Sequence, residues 1–495
     1  MLKQIFLFIV LFTVAILGYR NGLHIQYYAD DYQRVFTNPD EAIRQAFTHA
    51  NFSDHSYRPL ETLSLGVIQK NWGWDTFPFR LLNLLFHAAG AFLVYHALRF
   101  WKVNTWCAVL AAIFTIISQM GAAAVLGNDT QSQITGALFS ALSLWLLYRY
   151  LDSADSKNWR YFCSIFAFFL ALISKETSTG LFLSITFLSY VMPVDERFTV
   201  RIKQTLLKVL PYIVCFAIYW LLRLNAGSVS PAVGNANLSI GLGINIPINF
   251  GLFFFQSILP VSSMAVMKAL HYREYILLSM ICIFTALFAS AIGYGIVRSQ
   301  RRKIILGLCP IIFCSWFPAL ILNHISELYA YNSLFYIGMI FGIAAEYYWL
   351  EVSKRSAIAF AGICLVILAA GITNAAGIDE KASSMKIQGD RAAIFLPQIV
   401  AYAKTMPPQE RMYLIGPKDS SFEYSMFAIH GFRVSTLSDS IVRFLSHRSD
   451  VWVYAADSAE SAEQAKVYPG TAFTYDSATL RIYPMKPDFM TKILK

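Results

Sequence analysis

SYRPLETLSLGVIQKNWGWDTFPFRLLNLLFHAAGAFLVY (Ser56–Tyr95) carries two signals that are seldom found together. Its second half is apolar enough to enter a bilayer, yet Arg80, Asn83 and His87 recur in it at i, i+3 and i+7, on one face of a helix. Polar side chains on a spanning helix face the protein interior or an aqueous cavity. The first half opens on Tyr57, Arg58 and Pro59, where a helical stretch starts. Upstream lies YYADDYQRVFTNPDEA (Tyr27–Ala42), which places Asp30 and Asp31 side by side just after the first apolar run. Nothing about crossing a bilayer calls for that acidic pair.

Composition settles the class. The chain has 495 residues, 56% hydrophobic and 14% charged, with repeated apolar runs of about the ~20 residues needed to cross a bilayer core. This is the pattern of a multi-pass membrane protein. The first run, Gln4–Leu17, follows Lys3 and has no A-x-A site after it, so it reads as an uncleaved anchor. All seven cysteines fall within predicted spans without metal or disulfide spacing, which marks them as small hydrophobes. The formal charge is +10, but the region from Glu380 onward holds 14 Lys and Arg against 12 Asp and Glu. The excess therefore sits in short connections between spans, the mark of positive-inside orientation and not of a nucleic-acid surface.

Those connections predict the topology. Arg99 with Lys102, Arg149 with Lys157 and Arg160, the group from Arg197 to Lys208, Arg298 to Lys303, and Lys354 with Arg355 mark cytoplasmic turns. The acidic loop, GNDTQSQ from Gly127, SKETSTG from Ser174, the stretch from Asn225 to Pro247, and NHISELYAYN from Asn323 then face outside. INFGLFFFQSILP, ending at Pro260, would invert everything downstream if it crossed, so it is expected to be re-entrant or interfacial. Eleven crossings remain, with the N-terminus cytoplasmic and the C-terminus outside.

The expected fold is thus an α-helical multi-pass domain over residues 1–376, with an outer loop at 19–80, followed by a small soluble α/β domain at 377–495. In the latter, strand-length runs RMYLIG (from Arg411), VWVYA (from Val451) and LRIYP (from Leu480) alternate with helix-like RAAIFLPQIVAYAK (from Arg391) and SAESAEQAK (from Ser458). It has no Gly-rich phosphate loop, metal cluster or repeat, so chemistry is sought in the outer loops. Each polar residue there also has a structural reading. Asp30 and Asp31 can be solvated acids or a helix cap, or a general base with a second acid that tunes it. Arg80 can snorkel to headgroups, Pro59 can simply start a helix, and Asn83 and His87 can hydrogen-bond between spans. Asp30, Asp31 and Asp129 could assemble a Mg or Mn site, since those ions favour oxygen ligands. Adjacent carboxylates alternate in direction, however, and no D-x-D is present.

With these residues in hand, the sequence resembles integral-membrane glycosyltransferases of the GT-C fold. It is most similar to the membrane portion of tetratricopeptide-linked protein O-mannosyltransferases and their bacterial relatives. The family pattern of an acidic pair, YRPL and an N-x-x-x-H step is met by Asp30-Asp31, Tyr57-Arg58-Pro59-Leu60 and Asn83 to His87. ALISKETSTG carries the family's Lys-Glu step as Lys175-Glu176, and SELYAYNSLFYIG places Glu327, Tyr329 and Tyr331 like its E-x-Y-x-Y segment. The resemblance spans roughly residues 1–375. AAVLGNDTQSQ departs from it, offering only Asn128 and Asp129 where relatives carry a Glu and an Arg-x-Asp, and the tetratricopeptide array is replaced by the α/β domain.

The resemblance implies a donor consisting of one sugar on a polyprenyl phosphate, presented at the outer leaflet. Transfer to an acceptor hydroxyl of a protein or envelope glycan then needs a base, for which Asp30 stands first with Asp31 beside it. It also needs fixed cations for the leaving phosphate: Arg58 first, then Arg80 and Lys175. Glu176 and Glu327 would orient those cations, with Tyr57, Asn83, His87 and Tyr331 in support. Direct attack would invert the anomeric centre without a covalent intermediate. Two other classes compete: a transporter or flippase for a lipid-linked sugar, and a non-catalytic scaffold. No inverted repeat or pair of broken helices favours the first. The expected site of action is a bacterial inner membrane with the tail in the periplasm.

Overall fold

The computed structural model of the protein describes residues 2–52, 55–152, 158–192, 198–228, 240–323, 326–415, 439–456 and 470–485. Its first helix, α1 (Leu2–Gly18), is followed by a long connection holding α2 (Pro39–Gln45) and α3 (Pro59–Trp72), and α4 (Thr76–Phe100) runs back along the bundle. Next come α5 (Thr105–Ile117) and α6 (Ala122–Leu126), then α7 (Gln131–Leu151), α8 (Asn158–Ser174), α9 (Leu181–Val191) and α10 (Phe198–Asn225). The helical part closes with α11 (Asn245–Ile258), α12 (Ser263–His271), α13 (Tyr275–Arg298), α14 (Arg302–Leu320), α15 (Leu334–Tyr347), α16 (Ser353–Arg355) and α17 (Ala357–Thr405).

Seven of the described helices are long and apolar enough to cross a membrane, or up to nine if each bent pair is one span. Reaching the expected eleven would require the bent α5–α6 pair to count as one crossing and α11–α12 as none, with α1 and α8, at 17 residues each, and α9, at 11, crossing as well. Ile276 and Ile358 are largely exposed on α13 and α17. Such faces suit hydrocarbon and would be a liability in water. The chain is a membrane protein. Close packing inside the bundle needs small residues: a Cβ on Gly90 of α4 would run into the ring of Phe335 on α15.

The two ends of the bundle differ in chemistry. At one, Glu346 accepts hydrogen bonds from Arg301 Nε (2.6 Å) and the Asn104 backbone N–H (2.7 Å), and Arg301 Nη2 donates to Lys102 O (2.9 Å). Two of the basic turns, those of Lys102 and Arg301, thereby share one end with the last turn of α15; Lys157 and Arg197 lie outside the described residues. At the other end, the loop after α1, the connections α6–α7 and α8–α9, and the segment before α15 converge.

The expected re-entrant segment is α11 with α12, which meet at 116° around Pro260. Backbone that does not span must find partners within the protein. Here Asn374 Nδ2 and Thr373 Oγ1 of α17 donate to Pro260 O, and Asn245 and Asn249 of α11 donate to Leu322 O at the end of α14 (3.1 and 3.0 Å).

The C-terminal unit is a four-stranded sheet of order β2-β1-β3-β4, with β1 (Arg411–Ile415), β2 (Trp452–Ala456), β3 (Gly470–Tyr475) and β4 (Ile482–Pro484). Both neighbours of β1 are parallel to it, and β4 runs antiparallel to β3. Sequence reading anticipated three of these strands and missed β3, whose GTAFTY carries a weak apolar alternation. The SAESAEQAK stretch lies outside the described residues. Residue 377, the expected start of the C-terminal domain, falls inside the unbroken 49-residue α17. The last turns of α17 underlie the sheet, with Phe395 against Tyr475 and Tyr402 against Phe473 (centroids 4.7 and 4.8 Å). A last helix, α18 (Asp439–Ser446), leans from this unit toward the outer loop.

Candidate functional site

The acidic pair sits in a 3₁₀ turn, Ala29–Arg34. Ala29 takes a positive φ of 52° there, and Asp31 Oδ2 accepts the Tyr28 backbone N–H (3.0 Å). The turn is fixed from below by α3: Gln69 donates from Nε2 to Arg34 O and accepts from the Phe36 N–H, both at 2.9 Å. Asp31 is buried and also accepts from Asn128 Nδ2 (2.9 Å). Burial, then the neighbouring charge of Asp129, pushes its pKa up to about 8. The side chain of Asp30 lies outside the described residues.

Arg80, Asn83 and His87 share one buried face of α4, and each holds structure. Arg80 Nη1 donates to Val125 O (2.8 Å) and Gly127 O (3.0 Å), its Nη2 donates to Asn128 Oδ1 (2.8 Å), and Asn83 Nδ2 reaches Gly127 O (3.4 Å). Arg80 therefore shapes the loop whose Asn128 grips Asp31, and its Nη atoms are committed to that task. His87 Nε2 faces Ile116 O (3.2 Å), a carbonyl that can only accept, so Nε2 carries the proton and Nδ1 accepts from Tyr331 Oη (2.9 Å).

The cations form a second group, beside the first. Arg58 Nε and Nη2 bind both oxygens of Glu176 (3.0 and 2.7 Å), and Nη1 faces Glu61 Oε2 (3.5 Å). This fork holds the Glu176 carboxyl well below the usual carboxylate range. Tyr57, next to Arg58, donates to Phe47 O (2.9 Å) and packs on Tyr219, which accepts from Arg223 Nη1 (3.1 Å). Lys175 differs from the other cations. It is 5% exposed and has no hydrogen bond or ion pair among the described residues; its ammonium faces only the ring of Tyr329, at 6.0 Å. Burial and the Arg58 charge lower its pKa to about 8, against the pull of Glu176, Glu61 and Asp129.

Around Lys175 lie further buried groups that have no hydrogen-bond partner among the described residues. They include Glu61 Oε1 and Asp129 Oδ1, whose charges act on Lys175; Gln131 Nε2 and Ser132 Oγ are likewise without a partner in the first turn of α7, the helix that meets Lys175 one turn on at Gly136. Native interiors leave few such groups unsatisfied, and a cluster of them asks for a ligand. A helix N-terminus with a buried ammonium beside it suits an anion.

Glu327 lies elsewhere than expected. It is paired with Lys381 of α17 (2.8 Å) and accepts from Gln256 of α11 and Ser263 of α12. Its segment still ties the site together, since Tyr329 faces Lys175 and Tyr331 holds His87. Sequence reading missed Lys381, Glu61, Gln131 and Arg223. A lone Lys in a long apolar helix and an Arg in the last turn of a long apolar helix were the available signals. Among the described residues, no group of three or more His, Cys, Asp or Glu could hold a metal ion. The Mg or Mn reading also calls on Asp30, whose side chain lies outside the described residues; of the other two, Asp31 Oδ2 accepts from the Tyr28 N–H and from Asn128.

Solved structures share this architecture. Apo ArnT from Cupriavidus metallidurans superposes with a TM-score of 0.54 at 12% identity, covering 95% of this chain and 93% of that one. The same enzyme bound to undecaprenyl phosphate gives 0.52 at 12%, covering 95% and 94%. The Archaeoglobus fulgidus oligosaccharyltransferase tethered to an acceptor peptide gives 0.52 at 12%, covering 95% and 68%. The chain has the GT-C fold. Neither a family model nor a curated protein matches the sequence. In this GT-C chain the acidic turn, the Arg58–Glu176 fork and Lys175 all occupy the end of the bundle that bears the C-terminal unit.

Proposed function

We propose that this chain transfers a single sugar from a polyprenyl phosphate to an acceptor hydroxyl, at the membrane face that carries the C-terminal unit. The observation that carries this reading is Lys175, a buried ammonium with no anionic partner among the described residues, set beside unsatisfied polar groups at the start of α7. A phosphate is the ligand that satisfies both. As the bond between the anomeric carbon and the phosphate oxygen breaks, negative charge gathers on the phosphate, and Lys175 stabilises it directly. Arg58 acts through the same field, but its nitrogens are already engaged by Glu176 and Glu61, so it positions the site while Lys175 makes the contact. Asp30, held in the rigid 3₁₀ turn, takes the proton of the attacking hydroxyl. One displacement inverts the anomeric centre. The undecaprenyl phosphate in the ArnT structure supports a lipid-phosphate donor of this type.

Lys175 makes the donor site sensitive to pH. Its ammonium is charged below about 8 and loses its proton above, whereas the phosphate's own charge is settled above its second pKa of about 6. Binding of undecaprenyl phosphate should therefore weaken above pH 8, by up to about tenfold per pH unit. Lys175→Met should bind about 10- to 100-fold more weakly, with that alkaline limb removed. An affinity that is flat with pH in the wild type, or unchanged in the variant, contradicts the assignment.

We further propose a bacterial inner membrane with the N-terminus cytoplasmic, the orientation that puts the basic turns inside. A cysteine introduced at Ser477, exposed in the β3–β4 turn, should react with an impermeant reagent in intact spheroplasts of a cysteine-free variant. Labelling only after lysis would reverse the orientation.

A further inference from the structure

We propose that the acceptor is a neutral saccharide, seated in a cavity of about 300 Å³ between the acidic outer loop and α18. The proposal rests on the transferase reading and adds to it the class of acceptor. The cavity starts at Tyr32, directly after the acidic pair, and Tyr32 also borders a neighbouring cavity of about 380 Å³. Its volume lies at the lower end of small-molecule sites.

The lining decides the chemistry. No Lys or Arg lines either cavity among the described residues, and the one lining carboxylate, Glu41, disfavours a phosphate or an acidic polymer; Arg34 is buried behind the lining ring of Phe52. Planar amides and a carboxylate are present, from Asn38, Glu41 and Gln45, and flat apolar surface comes from Tyr32 and from Phe444 of α18. A pyranose or furanose ring presents just these two aspects, hydroxyls at its edge and C–H groups on its faces. A peptide bound by strand addition needs a free strand edge, and no residue of the described strands lines the cavity. Because α18 belongs to the C-terminal unit, this unit supplies one wall of the acceptor site, which gives the tail a role although it has no catalytic signature.

Saturation-transfer NMR on the full-length protein in nanodiscs tests this. The probes are neutral hexose, pentose and N-acetylhexosamine disaccharides, glucose 6-phosphate, and a Ser/Thr-rich peptide. At least one neutral disaccharide should bind, and its affinity should fall at least tenfold in both Phe444→Ala and Gln45→Ala, while binding of undecaprenyl phosphate is unchanged. Preference for the phosphorylated sugar or the peptide, binding of no neutral sugar, or neutral-sugar binding unaffected in both variants would overturn the proposal. Failure of the wild type to bind undecaprenyl phosphate, with the sugar effects intact, would instead sink the transferase reading and leave the saccharide pocket standing.

Discussion

Asp30→Asn should lower sugar transfer by about 10²- to 10⁴-fold, the usual contribution of a general base, with membrane insertion and undecaprenyl phosphate binding preserved. Asparagine keeps the size and polarity of the residue and removes only its ability to take a proton. The neighbouring variant is the control. Asp31 has its pKa pushed up to about 8 by burial and Asp129, so it is mostly protonated at pH 7. In Asp31→Asn the side-chain amide oxygen could still accept from the Tyr28 N–H and from Asn128, as the carboxyl does now. That substitution should therefore cost less than about tenfold. Transfer assays on both variants at matched membrane levels decide the matter, and a larger loss in Asp31→Asn would exchange the two roles.

Arg58→Met should be the most destabilising single change at the site. It strips the cation from Glu61, whose side chain is fully buried, and from the partly buried Glu176. Removing one partner of a buried ion pair costs about 3–5 kcal/mol, visible as a fall in the thermal unfolding midpoint of the purified protein. Arg58→Lys restores a charge without the planar fork that spans both oxygens of Glu176. It should recover most of the stability yet remain impaired in turnover. Equal stability of wild type and Arg58→Met would mean that the fork carries no structural weight.

These expectations also show which parts of the protein were legible beforehand. Length and apolarity of the runs fix a multi-pass helical chain, and the basic turns were readable because charge placement at span ends is local. The segment expected to break the alternation of spans is the one that bends, by 116° between α11 and α12. The face bearing Arg80, Asn83 and His87 followed from helical periodicity alone. What those residues touch did not. Arg80 is committed to a carbonyl 45 residues away in sequence, and the Arg58–Glu176 fork joins residues 118 apart. Such pairings exist only after the bundle assembles. Glu327 finding Lys381 is the same lesson: a lysine well inside the long α17 gave no sign of its partner. The weakly alternating β3 was lost because a short parallel strand is specified more by its neighbours than by its own residues.

Whether this protein moves a sugar from a polyprenyl phosphate can be asked directly of the purified full-length chain. Synthetic undecaprenyl phosphate sugars, each with a radiolabelled hexose or pentose, would be incubated with the protein and an extract of cell-envelope glycans, beside Asp30→Asn and Lys175→Met. Label from at least one donor should pass to the acceptor fraction with wild type, and far less of it with either variant. Movement of the intact labelled lipid across the bilayer without cleavage of the sugar–phosphate bond would contradict the transferase reading and identify a transporter.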